Sequence, residues 1–184
     1  MQITENVIKQ IKAYDQKVLL ELYHYSFNVL MQVVSRYKNN RSDQMTLVNN
    51  TFMKIINNIH HFELGTNYQA WVKKIIRNEI IDDYRKNKKN NPLIFTDNFI
   101  NEGISVDEIN LDQEIEEQKL LQLLQLLPPA TRLVFTLYAL DEMKPREICE
   151  QLKLSSETVK WHLSEARKKL KAQLTLKNIQ INGK

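Results

Sequence analysis

Apolar residues recur at steps of three and four along much of this sequence, and only a helix buries side chains with that period. Between positions 15 and 37, Leu19, Tyr23, Phe27 and Leu30 follow it, which places them on one helical face. The chain has only three glycines and four prolines, too few for the many turns of a β-protein. We therefore predict an all-α fold.

The interruptions of this period divide the chain into helices. Ser42 or Asp43 is placed to cap the third helix, and Pro128 and Pro129 should end the fifth. Helices are expected at 5–13, 15–37, 45–59, 68–89, 111–127 and 130–140, followed by two more from Pro145 onward.

Charge is distributed in three blocks. Residues 1–91 carry 14 Lys and Arg against 8 Asp and Glu, residues 92–127 carry 1 against 8, and residues 128–184 carry 11 against 6. The stretch 90–110 lacks a helical period and contains Asn-Pro and Gly103, which is typical of a linker. We predict two small basic helical domains, each contacting a polyanion, on a flexible acidic linker. Chance clustering on solvated surfaces is the alternative. The predicted boundaries are 1–90 for the first domain, 91–110 for the linker, 111–175 for the second domain and 176–184 for a tail.

Several protein classes are disfavoured by composition. Cys149 is the single cysteine, so a disulfide or thiolate zinc cluster cannot form within the chain, and a reducing cytoplasm is expected. The first residues lack the apolar segment of a signal peptide, and no apolar run is long enough for membrane insertion. Asp82 and Asp83 are adjacent and point to different sides of a helix. We predict no enzyme activity, cofactor, metal or small-molecule substrate.

The segment KPREICEQLKLSSETVKWHLSEARKKL (144–170) has the layout of a helix-turn-helix. Pro145 suits the first turn of a short helix, and a serine can cap the second. The second helix has one apolar side, and its other side would face a DNA major groove. A plain amphipathic hairpin is the alternative. The predicted double-strand DNA contacts are Ser155, Ser156, Thr158, Lys160, Trp161, His162, Arg167 and Lys168.

A second basic surface accompanies the helix at 68–89. Aromatic residues beside cations offer unpaired bases a stacking surface and neutralise phosphates. A core position for Trp71 with a solvated lysine face is the alternative. The predicted single-strand contacts are Phe62, Tyr68, Trp71, Lys73, Lys74, Arg77, Asn78 and Arg85.

Two blocks resemble the bacterial RNA polymerase sigma factors of the sigma-70 family, extracytoplasmic-function (ECF) group. YQAWVKKIIRNEIIDDYRK (68–86) is similar to the region-two block with its aromatic residue, Trp and Asp-x-x-Arg. LLPPATRLVFTLYALDEMKPREICEQLKLSSETVKWHLSEARKKL (126–170) is similar to region four with its Leu-Pro opening, Glu-Ile, Thr-Val-Lys and Ala-Arg-x-x-Leu. The similarity extends over most of residues 15–172.

The resemblance implies a bacterial, cytoplasmic promoter-specificity subunit. Region two would bind the β′ clamp helices of core RNA polymerase and melt the minus-ten element, and region four would bind the β flap and read the minus-thirty-five element. An anti-sigma factor or a recruiting protein would be a further partner. The segment aligned with the family's core-binding helix supplies Leu47, Val48, Asn49, Asn50, Phe52 and Met53.

The chain departs from the family at both sites. Two or three carboxylates of the core-binding helix are missing, with Gln44 at an aligned position, and Lys153 stands where the family has a turn glycine. Trp161 and His162 are also unusual, and His cannot bind guanine with two parallel hydrogen bonds as Arg does. The alternative function is therefore a helix-turn-helix regulator, bound to polymerase or DNA, that depends on a partner protein for promoter targeting. A response-regulator-like factor and a small nuclease are weaker alternatives, since neither a receiver domain nor a carboxylate cluster is found.

Overall fold

The described part of this computed structural model is entirely helical in its regular structure. Its backbone covers residues 1–90 and 117–181, and its side chains cover residues 1–88 and 118–174. Within those ranges no strand occurs, so the predicted all-α fold is confirmed. The predicted linker and residues 111–116 of the predicted fifth helix lie outside the described residues. The helices are α1 (Glu5–Lys12), α2 (Gln16–Val34), α3 (Arg41–Asn58), α4 (Tyr68–Asn90), α5 (Glu117–Gln125), α6 (Pro129–Ala139), α7 (Pro145–Leu152) and α8 (Ser156–Ile181), with a 3-10 turn at Ile59–His61.

Two compact units make up the described chain. The first is Met1–Asp83, and the second comprises the described residues from Tyr84 onward. The division falls within α4, which begins in the first unit and ends in the second. We describe each unit by itself.

The first unit is built around an apolar core from α2, α3 and α4. Leu22 and Leu30 of α2, Val48 and Ile55 of α3, and Ile76 of α4 are all fully buried. Burying one such side chain stabilises the fold by about 1.5–3 kcal/mol. Because α3 turns this apolar face inward, its opposite face is exposed to solvent.

The start of α3 differs from the sequence-based prediction. The helix begins at Arg41 rather than at 45, and its cap is Asn40 rather than Ser42 or Asp43. The Asn40 side-chain oxygen accepts a hydrogen bond from the Ser42 amide at 2.7 Å. Because Asn40 pairs with a first-turn amide that would otherwise have no partner, the helix can begin one residue later, at Arg41.

Ion pairs connect α4 with its neighbours in the first unit. Lys38 Nζ lies 2.6 Å from Asp83 Oδ2. Lys54 of α3 contacts Glu79 and lies 3.7 Å from Asp82 Oδ2. The hydrogen bond that Lys54 donates to the Glu79 carboxylate raises the pKa of Lys54. These acids therefore fix the helix that carries the exposed cations described below.

The second unit is organised around α6, whose residues from Ala130 to Leu137 are all buried. Arg132 is 4% exposed and donates from Nε to the Leu124 carbonyl at 2.8 Å and from a terminal nitrogen to the Leu127 carbonyl at 2.9 Å. The Leu124 carbonyl lies in the last turn of α5 and the Leu127 carbonyl just after it, where carbonyls lack the usual acceptor bond of the helix interior. Burial lowers the pKa of Arg132. The helix α5 ends at Gln125, before the two prolines, and Pro129 is the first residue of α6.

The predicted helix-turn-helix is formed by α7 and α8, which both pack on α6. Lys153 ends α7 with φ 51° and ψ 51°, in the left-handed region where glycine is favoured. Ser155, rather than Ser156, caps α8 by accepting the Thr158 amide at 3.1 Å. The buried face of α8 includes Val159 and Leu163, as its apolar period predicts.

Candidate nucleic-acid and polymerase interfaces

Four aromatic rings form one cluster in the first unit. Ring centroids are separated by 5.6 Å for Phe62 and Tyr68, 5.5 Å for Phe62 and Trp71, and 5.9 Å for Tyr68 and Trp71. Tyr25 stacks on Tyr68 at 5.4 Å with an interplanar angle of 24°. The structure thus brings together the three aromatic residues predicted to contact unpaired bases.

Most of this cluster is packed rather than open. Phe62 is 6% and Tyr68 is 7% exposed, and Trp71 is half-buried. Phe62 and Tyr68 therefore do not form a fully open stacking surface, because these rings pack against each other. Their contact with unpaired bases stays a prediction. The Tyr68 hydroxyl lies 2.8 Å from Ser26 Oγ, and burial raises the pKa of Tyr68 to about 12. Tyr68 consequently remains protonated and held in place at neutral pH.

Three of the four rings, those of Tyr25, Phe62 and Tyr68, line a cavity of about 350 Å³. Its wall is formed by residues 1–3, Tyr25, Phe62 and residues 65–68. Gly65 has φ 85°, a conformation that glycine adopts readily, and it turns the chain between the 3-10 turn and α4. The cavity therefore combines aromatic walls with a polar loop.

The predicted cations of α4 are not all equally available. Lys73, Lys74 and Asn78 are exposed, and Arg77 is half-buried. Arg85 belongs to the second unit, where it donates from Nε to the Gln151 carbonyl at 2.5 Å. The two lysines and Asn78 are therefore the side chains best placed to meet phosphates from α4.

The six residues predicted to bind core polymerase lie on two faces of α3. Leu47 is 3% exposed and Val48 is fully buried, so these two side chains belong to the apolar core and not to the surface that a polymerase would contact, which corrects their prediction as polymerase-binding residues. Asn49, Asn50 and Met53 are exposed, with Met53 at 54%.

Phe52 is half-buried on the α3 surface, and its ring meets Tyr23 of α2 edge-on at 5.0 Å. Leu20 of α2 is 58% exposed. The surface formed by Leu20, Tyr23, Phe52 and Met53, here called the α2–α3 apolar surface, therefore offers neutral rather than acidic contacts.

In the second unit, α8 presents exposed cations. Lys160 and Lys168 are exposed, as is Ser156, whereas Thr158 is half-buried. Ser155 is exposed, but its hydroxyl is occupied by the cap of α8 and lies 3.0 Å from Thr158 Oγ1.

His162 lies inside the second unit, which corrects the prediction that it faces DNA. It is 1% exposed, and its Nδ1 lies 3.0 Å from Thr131 Oγ1 of α6. Burial lowers the pKa of His162 to about 4, so the ring is neutral at pH 7. Trp161 is half-buried and meets His162 edge-on at 5.0 Å. His162 thus anchors α8 to α6 and cannot reach a base edge in this structure.

Arg167 is held against an aromatic ring of α6. Its guanidinium carbon lies 5.8 Å from the centroid of Tyr138, within the range of a cation–π contact. Both residues are half-buried. The contact restricts Arg167 on the α8 surface.

Four residues that support these sites were missed in the sequence. They are Tyr25, Ser26, Thr131 and Tyr138. Ser26 gave a usable signal, because it lies four residues after Leu22 and four before Leu30 on the buried face of α2. A polar residue there indicates a buried hydrogen bond. The other three act through contacts between distant positions, for which the sequence offers no local signal.

Within residues 1–90 and 117–181, no helix is long and apolar enough to cross a membrane. Nor does that described part of the chain bring three His, Cys, Asp or Glu side chains together as a metal site.

Comparisons with known proteins match both units to one family. The model of Sigma-70 region 2 matches residues 22–90, and the model of Sigma-70, region 4 matches residues 117–170. The ECF RNA polymerase sigma factor SigW of Bacillus subtilis (strain 168) is 25% identical over 180 residues, covering 91% of this chain and 94% of that protein.

Two solved structures are also similar. CnrH in complex with the cytosolic domain of CnrY has 21% identity and a TM-score of 0.45, covering 92% of this chain and 96% of that chain. The sigma factor RpoE in complex with the anti-sigma factor NepR from Bartonella quintana has 21% identity and a TM-score of 0.47, covering 84% of this chain and 97% of that chain.

Because the two family models together match about two thirds of its residues, the chain belongs to the sigma-70 family of RNA polymerase sigma factors, in its ECF group. It is a sigma factor that acts in promoter-directed transcription initiation. Sigma factors are non-catalytic regulators.

Proposed function

We propose that the first unit opens promoter DNA and holds the melted minus-ten strand. Lys73, Lys74 and Asn78 would contact its phosphates, and the cavity beside Phe62 and Tyr68 would receive one unpaired base. The observation that carries this proposal is the aromatic-walled cavity in the same unit as the exposed lysines of α4. Cations and stacking rings together are what single strands require.

The second unit is proposed to bind the minus-thirty-five element through the exposed face of α8. Lys160 and Lys168 would neutralise phosphates, with Arg167 positioned by Tyr138. Thr158 and Trp161 remain the candidates for base contact, because His162 is buried. The β flap of the polymerase would bind this unit as well.

Core polymerase is proposed to bind the α2–α3 apolar surface, with Asn49 and Asn50 beside it. The Tyr23 hydroxyl lies 3.5 Å from the Asn49 side-chain oxygen, so the apolar surface and the polar residues beside it are continuous. Exposed side chains such as Met53 supply apolar contact where the family's carboxylates are missing. The β′ clamp helices would be the partner.

A binding assay tests this surface. Met53→Arg should strongly weaken retention of core polymerase by the tagged full-length chain, because the arginine would be buried without a partner. Asn6→Arg is the matched control, since Asn6 is exposed on α1 and gains the same charge. Equal retention by both variants would reject the proposed surface.

The remaining expectations follow from the same proposal. The chain would work in the bacterial cytoplasm without enzyme activity, and an anti-sigma factor would compete for the polymerase-binding surfaces. The domains would be 1–90 and 111–175, joined by 91–110 and followed by the tail 176–184. Limited proteolysis should first cut between about 90 and 110. First cuts inside α3 or α8 would reject these boundaries.

A partner-dependent regulator is the second candidate function. The observation that favours it is the exposed face of α3, which offers Asn49, Asn50 and Met53, with Asp43 in the first turn as the one carboxylate of the helix. A helper protein could then hold the second unit at the promoter through Trp161. A transcription assay of Trp161→Ala would separate the possibilities. Initiation equal to that of the parent would leave Trp161 no special role. Loss of promoter-specific initiation, with normal folding and normal binding to core polymerase, would support a role of Trp161 in reading DNA or in docking a partner.

A further inference from the structure

The packing of α8 on α6 is largely apolar. Val159, Leu163 and Ala166 form much of the buried face of α8, and this helix packs against α6. Apolar contacts are non-directional, so they hold α8 on α6 but fix its rotation about its own axis only loosely. A directional contact is needed to set which residues of α8 face outward.

Thr131 of α6 makes such a directional contact. Its Oγ1 lies 3.0 Å from Nδ1 of His162 on α8, and the two residues are 0% and 1% exposed. A hydrogen bond weakens steeply when its angle departs from the preferred range, whichever of the two atoms donates. Further along α6, the Tyr138 ring holds Arg167 of α8. These two contacts, near opposite ends of α6, together define the rotation and the direction of α8.

Trp161 depends on the same bond. It is half-buried, and its ring meets the His162 ring at 5.0 Å with an interplanar angle of 70°. The imidazole that Thr131 holds is therefore also a support for the indole. A side chain that ends about 6 Å from a helix axis moves by about 2 Å when the helix rotates by about 20°. A displacement of that size breaks a hydrogen-bonded base contact.

We propose that Thr131 is a positioning residue for promoter recognition, which acts through His162 by fixing the rotation of α8 and the place of Trp161. The inference rests on the proposed function of the second unit as the part that binds the minus-thirty-five element. Thr131 is buried and contacts no DNA itself. Loss of its hydroxyl should therefore lower discrimination between promoter sequences, while the sequence-independent attraction of Lys160 and Lys168 for phosphates persists.

The test compares two promoter duplexes that bind core polymerase carrying the full-length chain. One duplex contains the minus-thirty-five region of a promoter at which this chain initiates, and the other carries transversions there. The ratio of the two dissociation constants is the discrimination, which should be about tenfold or more for the parent. Thr131→Val should reduce it to about threefold or less, whereas Thr131→Ser, which keeps the hydroxyl, should stay within about twofold of the parent.

Thr136→Val is the matched control. Thr136 is also fully buried on α6, but its hydroxyl has no hydrogen-bond partner among the described residues. The substitution removes the same group from the same helix, and the discrimination should remain that of the parent. Equal losses in Thr131→Val and Thr136→Val would overturn the role of the bond to His162.

Combining Thr131→Val with His162→Leu separates positioning from stability. Thr131→Val alone takes the hydroxyl away from a buried ring nitrogen, which destabilises the fold, whereas replacing both partners by apolar groups largely removes that cost. The urea midpoint of the double variant should therefore return toward that of the parent. A positioning role predicts that discrimination nevertheless stays at about threefold or less. Discrimination that returns together with stability would overturn the inference.

The parent itself separates the inference from the function beneath it. A parent complex that binds both duplexes equally would overturn the reading of the minus-thirty-five element by this unit, and the role of Thr131 with it. A parent that discriminates, with the same ratio in Thr131→Val, would overturn the role of Thr131 alone.

Discussion

Lowering the pH from 7 to 5 should destabilise the second unit through His162. The ring is 1% exposed, accepts or donates one hydrogen bond with Thr131, and is neutral because burial lowers its pKa from 6.5 to about 4. In the unfolded chain the same ring is solvated and takes up a proton near pH 6.5. Acid therefore favours the unfolded state: the stabilisation is intact above pH 6.5 and is lost as the pH falls toward 4.

The size of the effect follows from the difference between the two pKa values. Between pH 7 and pH 5, one group with these values lowers the free energy of unfolding by about 2 kcal/mol. His162→Asn removes the titrating group, and its side-chain amide can keep a hydrogen bond to Thr131. The variant should therefore lose about 2 kcal/mol less than the parent over the same pH interval.

Urea unfolding monitored by tryptophan fluorescence measures this difference. The background is Trp71→Phe, which leaves Trp161 as the single reporter, beside His162 at 5.0 Å between ring centroids. His24→Asn is the control, because His24 is exposed in the first unit. If the parent and His162→Asn lose the same free energy of unfolding between pH 7 and pH 5, within about 0.5 kcal/mol, the argument that His162 is buried in its neutral form is refuted.

Three further predictions concern the turn between α7 and α8, the exposed lysines of α4 and the cation–π contact between Arg167 and Tyr138. Lys153→Gly should raise the free energy of unfolding of the second unit by up to about 1 kcal/mol, since it removes the Cβ strain at φ 51°; an unchanged urea midpoint would contradict this. Lys73→Ala combined with Lys74→Ala should reduce the slope of log affinity against log salt by about 1.4 on single-stranded DNA, and an unchanged slope would exclude both as phosphate contacts. Tyr138→Leu should weaken binding of the polymerase complex to minus-thirty-five duplex by about two- to fivefold whereas Tyr138→Phe should not, and equal losses in the two variants would argue against the ring's role.

The helical period predicted much of the fold, and the misplacement of His162, Leu47 and Val48 arose from setting that period aside. Position 162 stands three residues after Val159 and four before Ala166, both fully buried, so the spacing alone places His162 on the inner face of α8. Because histidine is polar, the sequence-based prediction places it on the side of the helix opposite the apolar residues, facing DNA. Leu47 and Val48 were assigned to the polymerase because of the family alignment, although their own apolar period indicates the core.

Contacts between distant positions could not be predicted from local pattern. The cavity forms because residues 1–3 meet the loop at 65–68 through packing in the first unit. Arg132 is, in the sequence, only a basic residue near the start of α6, yet it is buried against carbonyls in and just after the last turn of α5. Each of these depends on how helices pack, which is set by the whole core rather than by neighbouring residues.

The central claim is that this chain directs core RNA polymerase to promoters, and transcription of genomic DNA tests it most directly. Purified core polymerase is incubated with and without the chain, and the 5′ ends of the transcripts are mapped. We predict a set of discrete start sites that appears only with the chain and shares sequence elements upstream at both promoter positions. Identical start sites with and without the chain, although it co-purifies with core polymerase, would contradict the account.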